Sequence, residues 1–187
     1  RAKRLVNWDS KLKTAISDLE VITQEVKGHM WHIFYPLVDD PKNGITIATT
    51  RPETMFGDTA VAVHPEDERY KHLIGKQVRL PLTDRTLTII ADDYCDPTKG
   101  TGAVKITPGH DFNDFAMAQR HNLEMLNILD ANAHLNENVP EMFRGLNIEK
   151  AREKTLEILE EQGLLVKTEP RMNTSQFGDR SGVVIQP

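Results

Sequence analysis

Runs rich in β-branched and aromatic residues at 19–26 (LEVITQEV) and 29–38 (HMWHIFYPLV) flank Gly28, a pattern that predicts two strands turning at that glycine. Asp39–Gly44 (DDPKNG) is a turn cluster, and its Asn43-Gly44 pair is a strong short-range hairpin signal. Ile45–Thr50 reads as the next strand, with Pro52 biasing Arg51 to an extended conformation. Further strands are expected at 58–63, 77–81, 86–91 and 103–107, and a short helix at 66–74. Two stretches then switch to helical period. From Asp111, the residues Phe112, Phe115, Ala116 and Gln119 form a stripe with one polar member. Asn147 can cap a second helix whose inner face holds Ile148, Ala151, Thr155, Ile158 and Leu159 and which stops at Gly163. Its outer face mixes Glu, Lys and Arg, as a solvated surface should. Segments 130–145 and 168–182 (TEPRMNTSQFGDRSG) read as loops. The sum predicts an α+β fold, a curled, barrel-like mixed β-sheet with flanking helices.

Composition adds bounds rather than identity. A chain of 187 residues fits one large domain, or one with a small appendage, and its 39% hydrophobic and 27% charged residues are ordinary for a globular protein. No apolar run approaches the roughly 18 residues needed to span a bilayer. The opening RAKRLVNWDSKLK is basic but has no apolar core, so it does not read as a signal peptide. Cys95 is the single cysteine, which excludes an internal disulfide and suits a reducing cytoplasm. The net charge of −5 weighs against a domain that grips long nucleic acid by itself. Arg1, Lys3, Arg4, Lys11 and Lys13 make the start locally basic, which reads as a solvated end. The chain opens without Met and closes on the β-type run Val183–Pro187, so the expectation is one domain, 1–187, excised from a longer polypeptide.

The chemistry concentrates in two segments, Thr49–Thr59 (TTRPETMFGDT) and Gly100–Phe115 (GTGAVKITPGHDFNDF). Asp111 and Asp114 admit a structural reading, as the N-cap and third residue of a helix accepting backbone N–H bonds. They admit a chemical one too, because His110 and Lys105 keep them company. In the β run, Val104 and Ile106 face one side while Ala103, Lys105 and Thr107 face the other. If the first side is core, the second walls a polar cleft. Gly100-Thr101-Gly102 lacks the helix context of a phosphate or dinucleotide loop. His110, Asp111 and Asp114 could ligate a metal, but no second His or Cys stands at recurring ligand spacing. Cys95 has no local histidine motif to make it a nucleophile. Thr49, Thr50 and Thr54 are either strand and turn threonines or hydroxyls lining a cleft, and the residues alone leave both open.

TTRPETMFGDTAVAVHPEDERY at Thr49–Tyr70 and GTGAVKITPGHDFNDF closely resemble the editing domain inserted in valyl-tRNA synthetases. VNWDSKLKTAISDLEV near the start and GDRSGVVIQP at the end resemble the segments that join that domain to the catalytic body, so 1–20 and 178–187 are expected to be connecting strands. The related leucyl and isoleucyl domains share the glycine turn and the final aspartate but differ in the Lys-Ile-Thr stretch and in HDFND. Lys99 stands where some members carry an aromatic pocket wall, and Gly109 and Phe115 stand where alanine and tyrosine are common.

The resemblance implies an aminoacyl-tRNA deacylase: post-transfer editing of misacylated tRNA(Val), with Thr-tRNA(Val) the main substrate, as part of a valine–tRNA ligase. An apolar pocket cannot strongly reject an isostere that only adds a hydroxyl, and valyl-tRNA synthetase is itself the standard illustration of that limit. The implied roles are Asp114 on the substrate α-ammonium, Lys105 with Asp111 on the threonine hydroxyl, and Thr49 and Thr50 on the ribose or water. Arg51, Thr54, His110 and Lys99 are implied around the aminoacyl-adenosine. An aminoacyl ester is already activated, so holding it in line with one water supplies much of the barrier reduction. No metal, cofactor or covalent intermediate is expected in the domain; ATP and magnesium belong to the parent enzyme. The implied partners are the 3′ CCA end of the tRNA, met by stacking and a few polar contacts, and the synthetase body. A cytoplasmic monomer away from any membrane is the matching expectation. The competing readings are a catalytically silent module that binds the tRNA 3′ end, and a metal-dependent phosphohydrolase.

Overall fold

A computed structural model describes the backbone of residues 7–9, 14–16 and 21–178, and the side chains of 28–172. The terminal connection expected at 178–187 lies outside these residues apart from Gly178; of 1–20, only the antiparallel pair β1 (Asn7–Asp9) and β2 (Thr14–Ile16) is described.

Gly28 is not a turn. It sits inside one continuous strand, β3 (Val21–Pro36), and pairs with Arg171 of β9 (Leu165–Gly178). The expected hairpin at Gly28 and the expected loop at 168–182, as far as Gly178, are therefore both corrected by one ribbon, running in register from Val21↔Gly178 to Ile33↔Leu165 with an irregularity at His32/Ile33; 179–182 lie outside the described residues. The physical reason is mutual. A lone glycine weakens a strand without ending it, and a partner strand brought in from far along the chain makes a polar segment extended. The other side of β3 pairs with β4 (Gly44–Thr49), from Pro36↔Gly44 to Trp31↔Thr49, through the expected Asn43-Gly44 turn. Gly44 is required by close approach, because a Cβ there would lie 2.3 Å from the Tyr35 carbonyl oxygen.

The second sheet has the order β6 (Gln77–Arg79), β7 (Thr86–Ala91), β5 (Ala60–Val63), β8 (Val104–Ile106). Its pairings are antiparallel except for the parallel β5–β7. β5 (AVAV) is buried at every position, as a run of small and β-branched residues inside a sheet should be. The fold is α+β as expected, but the sheets stay open instead of closing into a barrel. They meet at the Leu37↔Val78 bridge, over a core that includes Ile33, Tyr35, Ile47, Phe56, Leu80 and Phe143.

The predicted helix at 66–74 is only a turn ending in a 3-10 segment, Lys71–Leu73. α2 (Ile148–Glu161) follows the expectation: Asn147 accepts from the Lys150 N–H at 2.8 Å, Ala151, Thr155 and Leu159 are buried, and Gly163 takes φ +71° just past the end. α1 (Phe112–Arg120) forms where expected, but with a different buried face. Asp114, Met117 and Ala118 point inward, whereas Phe112 and Ala116 are exposed. The same helical spacing holds one phase over. A carboxylate on the inner face hid that phase from a reading based on apolar stripes.

Candidate functional site

A cleft of about 550 Å³ lies where the two sheets and α1 meet. The end of β4 and the following turn supply Thr49, Thr50, Arg51 and Thr54. β8 supplies Lys105, with Thr107 just beyond it, and the entry to α1 supplies His110, Asp111 and Asp114. Met30 on β3 and Arg171 and Met172 on β9 close the remaining side. Of the nine candidate site residues, Lys99 alone does not line this cleft; it is exposed in the turn before Gly100.

Buried cation chemistry centres on an aspartate that the sequence reading passed over. Asp58 is fully buried and accepts from the Tyr35 hydroxyl at 2.6 Å, the Lys105 ammonium at 2.6 Å and the Thr107 hydroxyl at 2.8 Å. Lys105 also donates to the Thr107 hydroxyl. Burial pushes the Asp58 carboxyl above its usual range, while Lys105 and the two hydroxyl donors pull it back. Tyr35, buried beside that carboxylate, is held well above the ordinary value for a phenol. The only sequence signal for Asp58 was its place in the Thr49–Thr59 stretch, directly after Gly57. A lysine buried on a strand next to the polar Thr107 could have prompted a search for its counterion.

β8 also departs from the expected facing. Ile106 is core, but Val104 is 37% exposed at the cleft, while Lys105 is 8% exposed and buried against Asp58. At a sheet edge beside a cleft, the side carrying the ion pair becomes the inner one.

At the entry to α1, Asp111 accepts from the Asn113 N–H at 2.9 Å, so it caps the helix while also lining the cleft. Asp114 occupies the third helical position, but its carboxylate accepts from the Thr107 N–H at 2.9 Å rather than from its own helix. It is buried, and its pKa rises from 3.8 to about 7, first by loss of hydration and next by the neighbouring Asp111 charge; the Thr107 N–H and Lys105 oppose that rise. Arg51 donates to the His110 carbonyl at 2.7 Å, joining the two motif segments, and the His110 ring accepts from the Ile128 N–H at 2.9 Å. That bond places the ring proton on Nδ1 and leaves the imidazole a structural pin for the segment after α1. Thr49 accepts from the Arg51 N–H and Thr54 donates to the Arg51 carbonyl, so both hydroxyls also shape the turn.

Among the described residues, no three His, Cys, Asp or Glu side chains are grouped so as to hold a metal ion. Cys95 is buried, and burial pushes its thiol up to about 11, opposite to what a nucleophile needs. No helix of the described residues is long and apolar enough to cross a membrane.

The family model described as "Leucyl-tRNA synthetase, editing domain" matches residues 67–160, half of the chain. Over all 187 residues the chain is 59% identical to a valine–tRNA ligase of Coxiella burnetii and 58% identical to one of Dechloromonas aromatica. It spans 20% of the length of each of those relatives. A leucyl-tRNA synthetase of Agrobacterium radiobacter K84, solved as a ternary complex with tRNA and LeuAMS, shares the fold with a TM-score of 0.57 at 19% identity. That likeness covers 83% of this chain and 21% of the other. The chain belongs to the aminoacyl-tRNA synthetase editing-domain family.

Proposed function

We propose that this domain hydrolyses the ester of misacylated tRNA(Val), removing threonine from Thr-tRNA(Val). The observation that carries the reading is the pairing, within one cleft, of the buried Asp114 carboxylate with the buried Lys105–Asp58–Thr107 network. Each has a counterpart in a threonyl ester. Asp114 takes the α-ammonium, because a cation is the ligand that repays the ionisation of a carboxyl held near pH 7. Lys105 has three ammonium protons, of which Asp58 and Thr107 take two; the third is directed to the side-chain hydroxyl of threonine. Valine is isosteric but leaves that donor unpaired, a penalty of roughly 1–3 kcal/mol for a buried polar group. Thr49, Thr50 and Thr54 place hydroxyls beside the ribose, and the 3′-terminal adenosine enters from the open side, with Arg171 and Met172 at its edge.

The hydrolysis itself asks little of the protein. The cleft holds the ester carbonyl and one water in line, water adds to the carbonyl, and the ribose oxygen leaves as the free 3′ end. No metal, cofactor or covalent step enters the scheme. Delivery of the CCA end, and the synthesis that precedes editing, fall to the body of a valine–tRNA ligase.

The test is the first-order release of threonine from Thr-tRNA(Val) by the wild-type chain and by Asp114→Ala. The expected result is release above the buffer rate that falls by on the order of 10² in kcat/KM with the substitution. Equal release by a folded Asp114→Ala variant would remove Asp114 from its role and with it the proposed orientation of the substrate.

A further inference from the structure

We infer that Arg85 is a positioning residue for the cleft, acting from the opposite side of the turn that carries Asp58. The inference rests on the editing reading for its kinetic consequence and on geometry alone for its structural one. The 3-10 turn Pro52–Gly57 ends at Asp58, whose N–H bonds back to Met55 and so leaves the Phe56 and Asp58 carbonyls without a partner inside the turn. Both residues are buried, Phe56 at 1% exposure and Asp58 at 0%. Buried carbonyls need a donor. Arg85 gives one to each, Nη1 to the Phe56 oxygen at 2.8 Å and Nη2 to the Asp58 oxygen at 2.6 Å. A planar guanidinium fork spanning two carbonyls fixes the intervening backbone in angle as well as distance. The Asp58 side chain leaves that backbone toward Lys105, Tyr35 and Thr107.

Arg85 is itself fixed. It belongs to the tight connection between β6 and β7, where its N–H bonds the Thr83 hydroxyl at 3.0 Å, Thr83 bonds the Leu80 carbonyl at 2.9 Å, and Leu80 bonds the Arg85 carbonyl at 2.9 Å. Its outer side lines a second cleft of about 570 Å³, away from the first. A group that touches neither the substrate site nor its lining therefore sets where the counterion of Lys105 stands.

The experiment compares Arg85→Met, Arg85→Lys and wild type by two readouts. One is hydrogen exchange of the Tyr35 hydroxyl and Lys105 ammonium protons, referenced to amides of β5 and β7. The other is the kcat and KM for threonine release from Thr-tRNA(Val). Arg85→Met should speed exchange of the two network protons by about tenfold or more over the reference amides and lower kcat by about 10–10², with KM little changed. Arg85→Lys, able to reach one carbonyl at a time, should fall between. Millimolar guanidinium, entering from the second cleft, should partly restore Arg85→Met. Uniform loss of protection at the network and the reference amides would show Arg85 to be a general structural residue, and an unchanged network with unchanged kcat would equally overturn the inference. A wild-type chain that releases no threonine counts against the editing reading alone, and the exchange readout then still decides whether Arg85 holds the network.

Discussion

A carboxyl that titrates near neutrality couples this protein's stability to its proposed activity through Asp114. Because its pKa is raised in the fold, the native chain keeps a proton that the unfolded chain releases above about pH 4. Stability from this group therefore falls as pH rises from about 4 to 7, and the loss is complete above 7. Asp114→Asn, which can still accept from the Thr107 N–H, should raise thermal stability at pH 8 by roughly 1–4 kcal/mol and leave it unchanged at pH 4. Denaturant melts at the two pH values check this. The opposite trend applies to the substrate. An ammonium favours the ionised form, so KM for the threonyl ester should be several-fold higher at pH 6 than near pH 7, below the pH at which the α-ammonium itself begins to lose its proton. Asp111 raises the Asp114 pKa by its charge, so Asp111→Asn, which keeps the helix cap, should move the midpoint of that profile to lower pH. Lys105→Ala should narrow the threonine-over-valine preference; an unchanged ratio would take Lys105 out of the discrimination step.

The residues that act are held by elements whose order along the chain gave little hint of their meeting. The turn Pro52–Gly57 is gripped from α2 as well, where Arg152 makes a two-pronged pair with the buried Glu53 at 2.8 and 3.0 Å. Removing Arg152 takes away that carboxylate's two donors and leaves only the more distant Arg51 charge to offset it. Arg152→Ala should cost about 2–4 kcal/mol, less than a fully buried pair because Arg152 reaches water, and adding Glu53→Gln should recover much of it. Denaturation of the single and double variants decides the point. Capping residues and periodic faces were legible in the sequence, as at Asn147 and along α2, because those signals are local. The β3–β9 ribbon was not. From Thr168 onward its second strand, TEPRMNTSQFG, has no apolar alternation and contains Pro170, and only the partner strand makes it extended. α1 was misphased for the related reason that its inner face carries Asp114.

At the scale of the molecule, two motif segments about fifty residues apart were legible as a site, and the structure brings all eight site residues named from them to one cleft, while Lys99, just before the second segment, stays outside it. What sequence could not supply was the inner partner. Asp58 becomes meaningful only when β5 and β8 pair and bring Lys105 over it, a contact between residues 47 apart. The chain carries a net charge of −5, and the cleft among its described residues is polar. An acidic domain of this kind should bind tRNA weakly at physiological salt, since phosphate contacts by clustered Lys and Arg supply most of such affinity. A tight complex formed by this chain alone would contradict that expectation. The central claim concerns selectivity, and it is tested most directly by the rates of amino acid release from Thr-tRNA(Val) and Val-tRNA(Val), measured side by side. Rapid loss of threonine with valine at the buffer rate is the predicted result. Equal rates from the two esters, or no release from either even with the domain in place in a valine–tRNA ligase, would contradict the account.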